Sequence, residues 1–233
     1  MFISLSSHGY ICAQDSAFVP DFYFSVQGAP VVSYRSISTK SSDVVYLTSS
    51  MEARQKMKTG YSSGLRMTYH FKKWMKFETG LEFCDLGYKE KVEQLTYGIQ
   101  VQDLPISAKS FTHFQYLKIP LLLQYSFNPR IPMVFVSYGI NGYWLVKQNT
   151  TTIFKYSDSI DRGFNENGDK SDFNNICFSA CVGVGVYSSL NENKTWYSKV
   201  ESFMSYFLTS ASTSNIKMRL YYFGLNVGIT RKF

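Results

Sequence analysis

The last fourteen residues of the chain, Leu220 to Phe233, alternate between two unlike faces. One face is apolar or aromatic and the other is mostly small or polar. The two sets are Tyr221, Phe223, Leu225, Val227, Ile229 and Phe233, and Tyr222, Gly224, Asn226, Gly228, Thr230 and Lys232. An alternation of period two indicates a β-strand between two different media. Strands of globular domains average about five or six residues, whereas a tilted strand that crosses a bilayer needs about 9 to 11. The segment therefore predicts a membrane-spanning strand.

The composition suits a chain built of such strands. Aromatic residues make up 17% of the chain, yet the mean hydropathy is only −0.15, because apolar and polar residues are finely mixed. No run of 18 apolar residues occurs, which excludes a spanning helix but not membrane residence. The net charge of +7 is dispersed and lacks any nucleic-acid-binding motif. Nucleic acid is therefore not a predicted partner.

The same alternation recurs along the chain and predicts eight strands. They cover Phe22–Tyr34, Lys58–Phe71, Trp74–Cys84, Phe111–Phe127, Met133–Gln148, Ile176–Leu190, Trp196–Leu208 and Leu220–Phe233. Long connections, at 36–55, 93–110, 149–172 and 209–218, alternate with short turns near Lys72, Pro129 and Asn193. The predicted fold is an all-β, eight-stranded, antiparallel up-and-down transmembrane β-barrel with short periplasmic turns and longer external loops. Pro30 interrupts the first strand and predicts a bulge or a sheet edge.

A soluble lipocalin-like barrel is the alternative, and it would place the apolar residues inside. The small residues favour the membrane barrel, because they share a face with charged residues and would fit a narrow lumen. These glycines are Gly60, Gly64, Gly80, Gly183, Gly185, Gly224 and Gly228. The side chains predicted to face lipid include Leu117, Leu121, Leu123, Val182, Val184, Leu225 and Val227. Trp74 and Trp196 flank short turns and Trp144 lies near the other end of its strand, as two interfacial girdles require.

The first residues predict export. Met1–Ala13 is mildly apolar and ends on a small residue, which is typical of the tail of a signal peptide, although the usual basic start is absent. Residues 14–233 then form the barrel domain, and a frayed terminus is the alternative. Cys177 and Cys181 would lie about 13 Å apart along one strand, too far for a disulfide. No disulfide framework is predicted.

Three segments carry a family resemblance. Tyr116–Tyr125 reads Tyr-Leu-Lys-Ile-Pro-Leu-Leu-Leu-Gln-Tyr, and it is preceded by Glu78–Glu82 and Gly87–Lys89. The chain from about Gly60 onward resembles the PorT-like outer-membrane β-barrel family of Bacteroidetes, whose members typically show Tyr-Leu-Glu-Ile-Pro-Leu-Leu-Leu-Lys-Tyr. Lys118 and Gln124 replace an acid and a base of that pattern. The resemblance implies an exported eight-stranded barrel in the outer membrane, and PorT itself is tied to a secretion system.

The candidate site residues lie on the inner face of three successive strands. Arg66, Glu78, Glu82 and Lys118 are predicted to form a charge network that fills the lumen, with a channel or a catalytic site as the alternative. His70 is predicted to face the lumen near a turn. His113, close to Ser110 near the external rim, invites comparison with lipid-modifying barrels. Catalysis needs a nucleophile, a base and an acid within reach of one another, and the sequence places no acid there.

Three functions remain open. The first is a small non-enzymatic outer-membrane barrel whose external loops bind a partner or surface ligand. The second is a PorT-like accessory of protein secretion, and the third is a lipid-modifying enzyme. No catalytic residue, cofactor or metal site is predicted, since no metal-ligand spacing or phosphate loop occurs. The expected partners are outer-membrane lipid, an envelope protein and the barrel-insertion machinery, with Phe233 as the C-terminal insertion signal.

Overall fold

In the residues that the structure describes, the chain forms one β-sheet and one short helix. The structure is a computed structural model that describes residues 20–39, 45–91, 93–95, 104–127, 134–156, 161–168, 172–214 and 216–233. Its elements are β1 (Asp21–Thr39), α1 (Val45–Arg54), β2 (Gln55–Lys56), β3 (Lys58–Lys72), β4 (Met75–Glu90), β5 (Glu93–Gln94), β6 (Ser107–Ser126), β7 (Val134–Lys155), β8 (Asp161–Asn167), β9 (Ile176–Ser189), β10 (Trp196–Phe207) and β11 (Ile216–Lys232). Within these residues no helix is long and apolar enough to span a membrane. The predicted signal peptide, Met1–Ala13, lies outside the described residues.

Eight long strands close into an antiparallel ring. Going round it, the order is β1, β3, β4, β6, β7, β9, β10 and β11, and β11 pairs back with β1 from Tyr23↔Lys232 to Thr39↔Ile216. Successive long strands are neighbours, so the topology is up-and-down. Closure leaves no unpaired edge, which a bilayer requires because unpaired backbone groups in hydrocarbon cost several kcal/mol each. The predicted barrel is confirmed.

The two ends of the barrel differ. One end carries the tight connections at 73–74 and 190–195 together with Asp21 and Phe233, and we call it the turn end. The other carries α1, β2, β5 and β8, and we call it the loop end. β2 pairs with β4, β5 with β6, and β8 with β7, so the short strands extend the barrel wall at the loop end.

Side-chain exposure follows the predicted faces. Val182, Val184 and Leu225 are 53%, 52% and 47% exposed. On the opposite face Glu78 and Gln124 are fully buried. Apolar residues thus face outward and polar residues inward, the inverse of a soluble barrel. The lipocalin-like alternative is wrong.

Five strands run several residues past their predicted ends. β1 continues to Thr39, β4 to Glu90 and β7 to Lys155, while β6 begins at Ser107 and β11 at Ile216. The extensions of β1, β6 and β7 contain few apolar residues and show no apolar alternation. Cross-strand pairing maintains them instead, as where the Ser110 and Thr152 hydroxyls lie 2.9 Å apart.

Pro30 does not produce the predicted bulge. The β1–β11 ladder pairs Gly28 with Val227 and Val31 with Gly224, so the register is the same on both sides of the proline. The ladder omits the proline itself, which has no N–H to donate. A register shift occurs instead between β6 and β7, beside Gln115.

Candidate functional site in the barrel lumen

Six charged side chains meet inside the barrel, and we call them the lumen network. They come from β3, β4, β6 and β10, and each is at most 5% exposed: Arg66, Glu78, Glu82, Lys118, Lys199 and Glu201. The structure brings together all four residues that the sequence analysis named for this site. It adds Lys199 and Glu201, which that analysis missed. Lys199 and Glu201 lie on either side of Val200, which faces outward. The alternation along this strand therefore predicts that both face the lumen.

Arg66 lies at the centre of the lumen network. Its Nη1 contacts Glu78 and its Nε contacts Glu82. The same Nη1 lies 3.6 Å from Glu201 Oε2, and Lys118 pairs with Glu82 from the other side. Buried charges are costly unless they are paired and hydrogen-bonded. Three acids and three bases satisfy one another here.

Contacts of Lys199 carry the lumen network across the barrel. Its Nζ lies 2.8 Å from Glu78 Oε2 and 3.1 Å from Glu201 Oε2. The strands β4 and β10 are not neighbours in the ring, so the pair with Glu78 joins opposite walls of the lumen.

Neutral donors complete the hydrogen bonding of the two β4 carboxylates. Gln124 Nε2 donates to Glu78 Oε2 at 2.7 Å. Ser62 Oγ donates to Glu82 Oε2 at 2.8 Å, and Gln27 Nε2 donates to Glu82 Oε1 at 2.7 Å. Each carboxylate is therefore held by neutral as well as charged groups, as a buried polar network requires.

Glycine makes room for the lumen network on β9. A Cβ atom added to Gly183 would lie 2.7 Å from Ser137 Oγ and 2.9 Å from Glu201 Oε1. Real Cβ contacts are not that short, so a side chain here would displace the carboxylate. This packing explains why small residues share a face with charged ones.

Lys76 is a buried cation on the turn side of the lumen network. It is 2% exposed, and among the described residues no carboxylate forms an ion pair with it. Its Nζ lies 4.3 Å from the ring centroid of Tyr187 and 5.1 Å from that of Tyr23. Aromatic faces attract cations within about 6 Å, and here they take the place of a counter-ion.

Aromatic rings fill the lumen on the loop side of the network. The hydroxyls of Tyr143 and Tyr222 lie 2.7 Å apart, and the ring centroids of Tyr143 and Phe207 are separated by 4.6 Å. Tyr116 packs against both Tyr143 and Phe207. The alternation of the closing strand places Tyr222 on this inward face, and the structure buries it there. Close packing of the interior needs volume that glycine and serine cannot supply.

The two histidines of interest lie in separate places. His70 faces the lumen near the turn end and is 9% exposed. His113 lies near the loop end with its Nδ1 3.1 Å from Asp85 Oδ2. Asp85 is an acid that the sequence analysis did not place, because it comes from a different strand. Ser110 Oγ hydrogen-bonds to the Thr152 hydroxyl, so Ser110 does not supply a nucleophile to the pair of His113 and Asp85.

Phe233 follows the end of the closing strand. Its side chain is 70% exposed, and its backbone N–H donates to the Phe22 carbonyl at 2.9 Å. Its role as an insertion signal stays a prediction.

Comparison with known proteins decides the class of the chain. Residues 21–233 match the family described as outer membrane protein beta-barrel domain. The chain belongs to this outer-membrane β-barrel family. It is accordingly an outer-membrane protein. Because barrels of this kind keep their short turns in the periplasm, we expect the loop end to face outward. No curated protein matches the sequence.

Several solved barrels are similar in fold. OprG from Pseudomonas aeruginosa is 13% identical, with a TM-score of 0.46 over 91% of this chain and 96% of that one. Neisserial surface protein A is 14% identical, with a TM-score of 0.41 over 91% and 97%. AlkL in DMPC lipid bilayers is 11% identical, with a TM-score of 0.45 over 100% and 96%. At these identities the likeness extends to the fold alone.

Proposed function

We propose that this outer-membrane barrel is a non-enzymatic, non-conducting protein whose loop end binds a partner or surface ligand outside the cell. The observation that carries the proposal is a raised sheet at the loop end, formed by the outer parts of β6 and β7 together with β8. A barrel that needs only to anchor itself in the membrane does not require strands beyond the bilayer.

The raised sheet precedes Leu117 in β6 and follows Val146 in β7. Ser107–Gln115 pairs there with Lys147–Lys155, and Asn149–Lys155 pairs on its other side with β8. Nine residues at about 3.4 Å each give about 30 Å of strand. All of β8 is solvent-exposed, so the sheet presents an open surface.

An aromatic pair marks the accessible face of the raised sheet. Phe164 is 58% exposed and packs edge-on against Phe154 with ring centroids 5.7 Å apart. Exposed aromatic side chains are enriched at protein interfaces because they supply large contact areas at little entropic cost.

The filled lumen supports binding over transport. Both the lumen network and the aromatic layer contain fully buried side chains, such as Glu78 and Tyr222. Two packed layers in series leave no room for a solute between them unless side chains move.

Photo-crosslinking on intact cells tests the proposed binding function. Replacing Phe164 with the photo-crosslinker benzoylphenylalanine is expected to give a discrete crosslinked species. The same replacement at Trp74, which is exposed on the turn end, is expected not to give that species. The purified barrel is also expected to show no channel conductance in planar bilayers. Absence of any crosslink at Phe164, or steady channel conductance, would contradict the proposal.

A PorT-like role in protein secretion is the second proposal. It is supported by the resemblance of Tyr116–Tyr125 to that family. If the role is correct, crosslinks from Trp74 on the periplasmic side identify secretion components, and deletion of the gene alters the secreted proteins. Unchanged secretion in the deletion strain would contradict this role, and the binding function would remain.

Lipid modification is the enzymatic alternative to the proposed function, and the contact between His113 and Asp85 is the observation in its favour. Asp85 is also paired with Lys58, whose Nζ lies 3.0 Å from Asp85 Oδ2, which suits a structural ion pair. His113→Ala is therefore expected to leave the lipid A composition of the outer membrane unchanged. Mass spectrometry of lipid A from cells carrying the variant and the parent chain makes the comparison. Loss of a lipid A species in the variant alone would favour the enzyme.

A further inference from the structure

A cavity of about 220 Å³ lies at the loop end of the barrel. It is bounded by β1, β4, β11, α1 and the segments that precede β9 and β11. Its apolar wall is formed by Ile37, Met51, Phe173, Ile216 and Met218. It lies on the far side of the aromatic layer from the lumen network and is distinct from it.

Arg35 supplies a buried cation to this cavity. The residue is 4% exposed, and its guanidinium carbon lies 3.5 Å from the ring centroid of Tyr88. Its Nη2 lies 3.4 Å from Glu90 Oε1, on a side chain that is 41% exposed. Among the described residues its Nη1 meets only the weak acceptor Met218 Sδ, at 3.8 Å.

The guanidinium has donor capacity to spare. A guanidinium carries five N–H donors in a rigid fork. The Nε of Arg35 is buried and has no hydrogen-bond partner among the described residues. The contact to Glu90 is long and single, whereas a well-formed arginine–carboxylate pair is bidentate and shorter. The donors of Arg35 therefore suit an anionic ligand.

We infer that this cavity binds a small amphiphilic monocarboxylate, with the carboxylate on Arg35 and the apolar body against Met51, Phe173 and Met218. A planar carboxylate matches the guanidinium fork. The cavity is smaller than the about 300 to 1,000 Å³ typical of drug-sized ligands, so a single aromatic ring or a short alkyl chain suits it. The inference deepens the proposed binding function of the loop end and rests on it.

A ligand-observed NMR titration of the full chain in lipid nanodiscs tests the inference. Benzoate is the probe, and benzyl alcohol is its neutral counterpart of similar shape. Wild-type protein is expected to bind benzoate and to bind benzyl alcohol far more weakly. Arg35→Gln is expected to weaken benzoate binding about 10- to 100-fold, the value of a hydrogen bond to a charged group. Glu90→Gln is expected to strengthen it, because a competing carboxylate is removed.

Arg162→Gln is the matched control, since it removes an exposed arginine from β8 at the same end of the barrel. It is expected to leave benzoate binding unchanged. Equal binding of benzoate and benzyl alcohol, no benzoate binding by the wild type, or equal losses from Arg162→Gln and Arg35→Gln would overturn the inference. If Arg35→Gln does not fold, the inference is still tested by comparing benzoate with benzyl alcohol on the wild type and by measuring benzoate binding to Glu90→Gln. A chain that crosslinks a partner through Phe164 but does not bind benzoate loses this inference and keeps the proposed function.

Discussion

Replacing Glu78 with alanine is expected to destabilise the folded barrel by about 3 to 5 kcal/mol. Glu78 is fully buried and contacts both Arg66 and Lys199. Without it, the lumen network holds three bases against two acids, and the surplus positive charge stays buried. Removing one partner of a buried pair costs more than the pair contributes, because the remaining charge stays desolvated.

Equilibrium unfolding by urea in lipid vesicles, followed by tryptophan fluorescence, measures this effect. Lys76→Met is the control, because it removes a buried charge that forms no ion pair with a described carboxylate. That variant is expected to be neutral or stabilising. The double change Glu78→Ala with Lys199→Met should recover part of the loss. Equal destabilisation by Lys76→Met and Glu78→Ala would mean that bulk polarity matters and pairing does not.

An arginine at Val184 is expected to destabilise the inserted barrel by about 2 to 4 kcal/mol, the cost of such a charge at the bilayer midplane. Val184 faces outward and is 52% exposed. The same replacement at Ser188, which also faces outward on β9 but lies near the turn end, is expected to cost about 0 to 1 kcal/mol. One strand thus contains both the test and its control.

The depth dependence is the quantity to measure. Both variants are refolded into vesicles, and the free energy of unfolding is compared with that of the parent chain. If Val184→Arg and Ser188→Arg cost the same, β9 does not cross a hydrocarbon layer, and its exposed valines need another explanation.

The barrel wall was predictable from the sequence only where its two faces meet different media. From Leu117 to Phe127 the outward residues touch lipid and the inward ones do not, so the sequence shows an alternation of apolar and polar residues. From Ser107 to Ser110 every side chain is small or polar, and the pattern is absent although the strand continues. Hydrogen bonds to β7 maintain that part of β6, and such pairing leaves no trace in residue type.

The contacts within the lumen network could not be predicted from the sequence alone. The period of β4 and β10 assigns Glu78 and Lys199 to the lumen, but nothing local pairs two residues 121 positions apart. Asp85 and His113 show the same limit, since their contact depends on the register between β4 and β6. The alternation places Tyr222 on the inner face, but it does not show that Tyr222 meets Tyr143 there.

The pair between Glu78 and Lys199 has a consequence for assembly. The acid belongs to the third long strand of the ring and the base to the seventh, so the pair cannot form in a sheet that lacks either wall. An open sheet leaves both charges accessible to water, whereas the closed ring buries them together. Closure of the ring and dehydration of this pair are therefore one event.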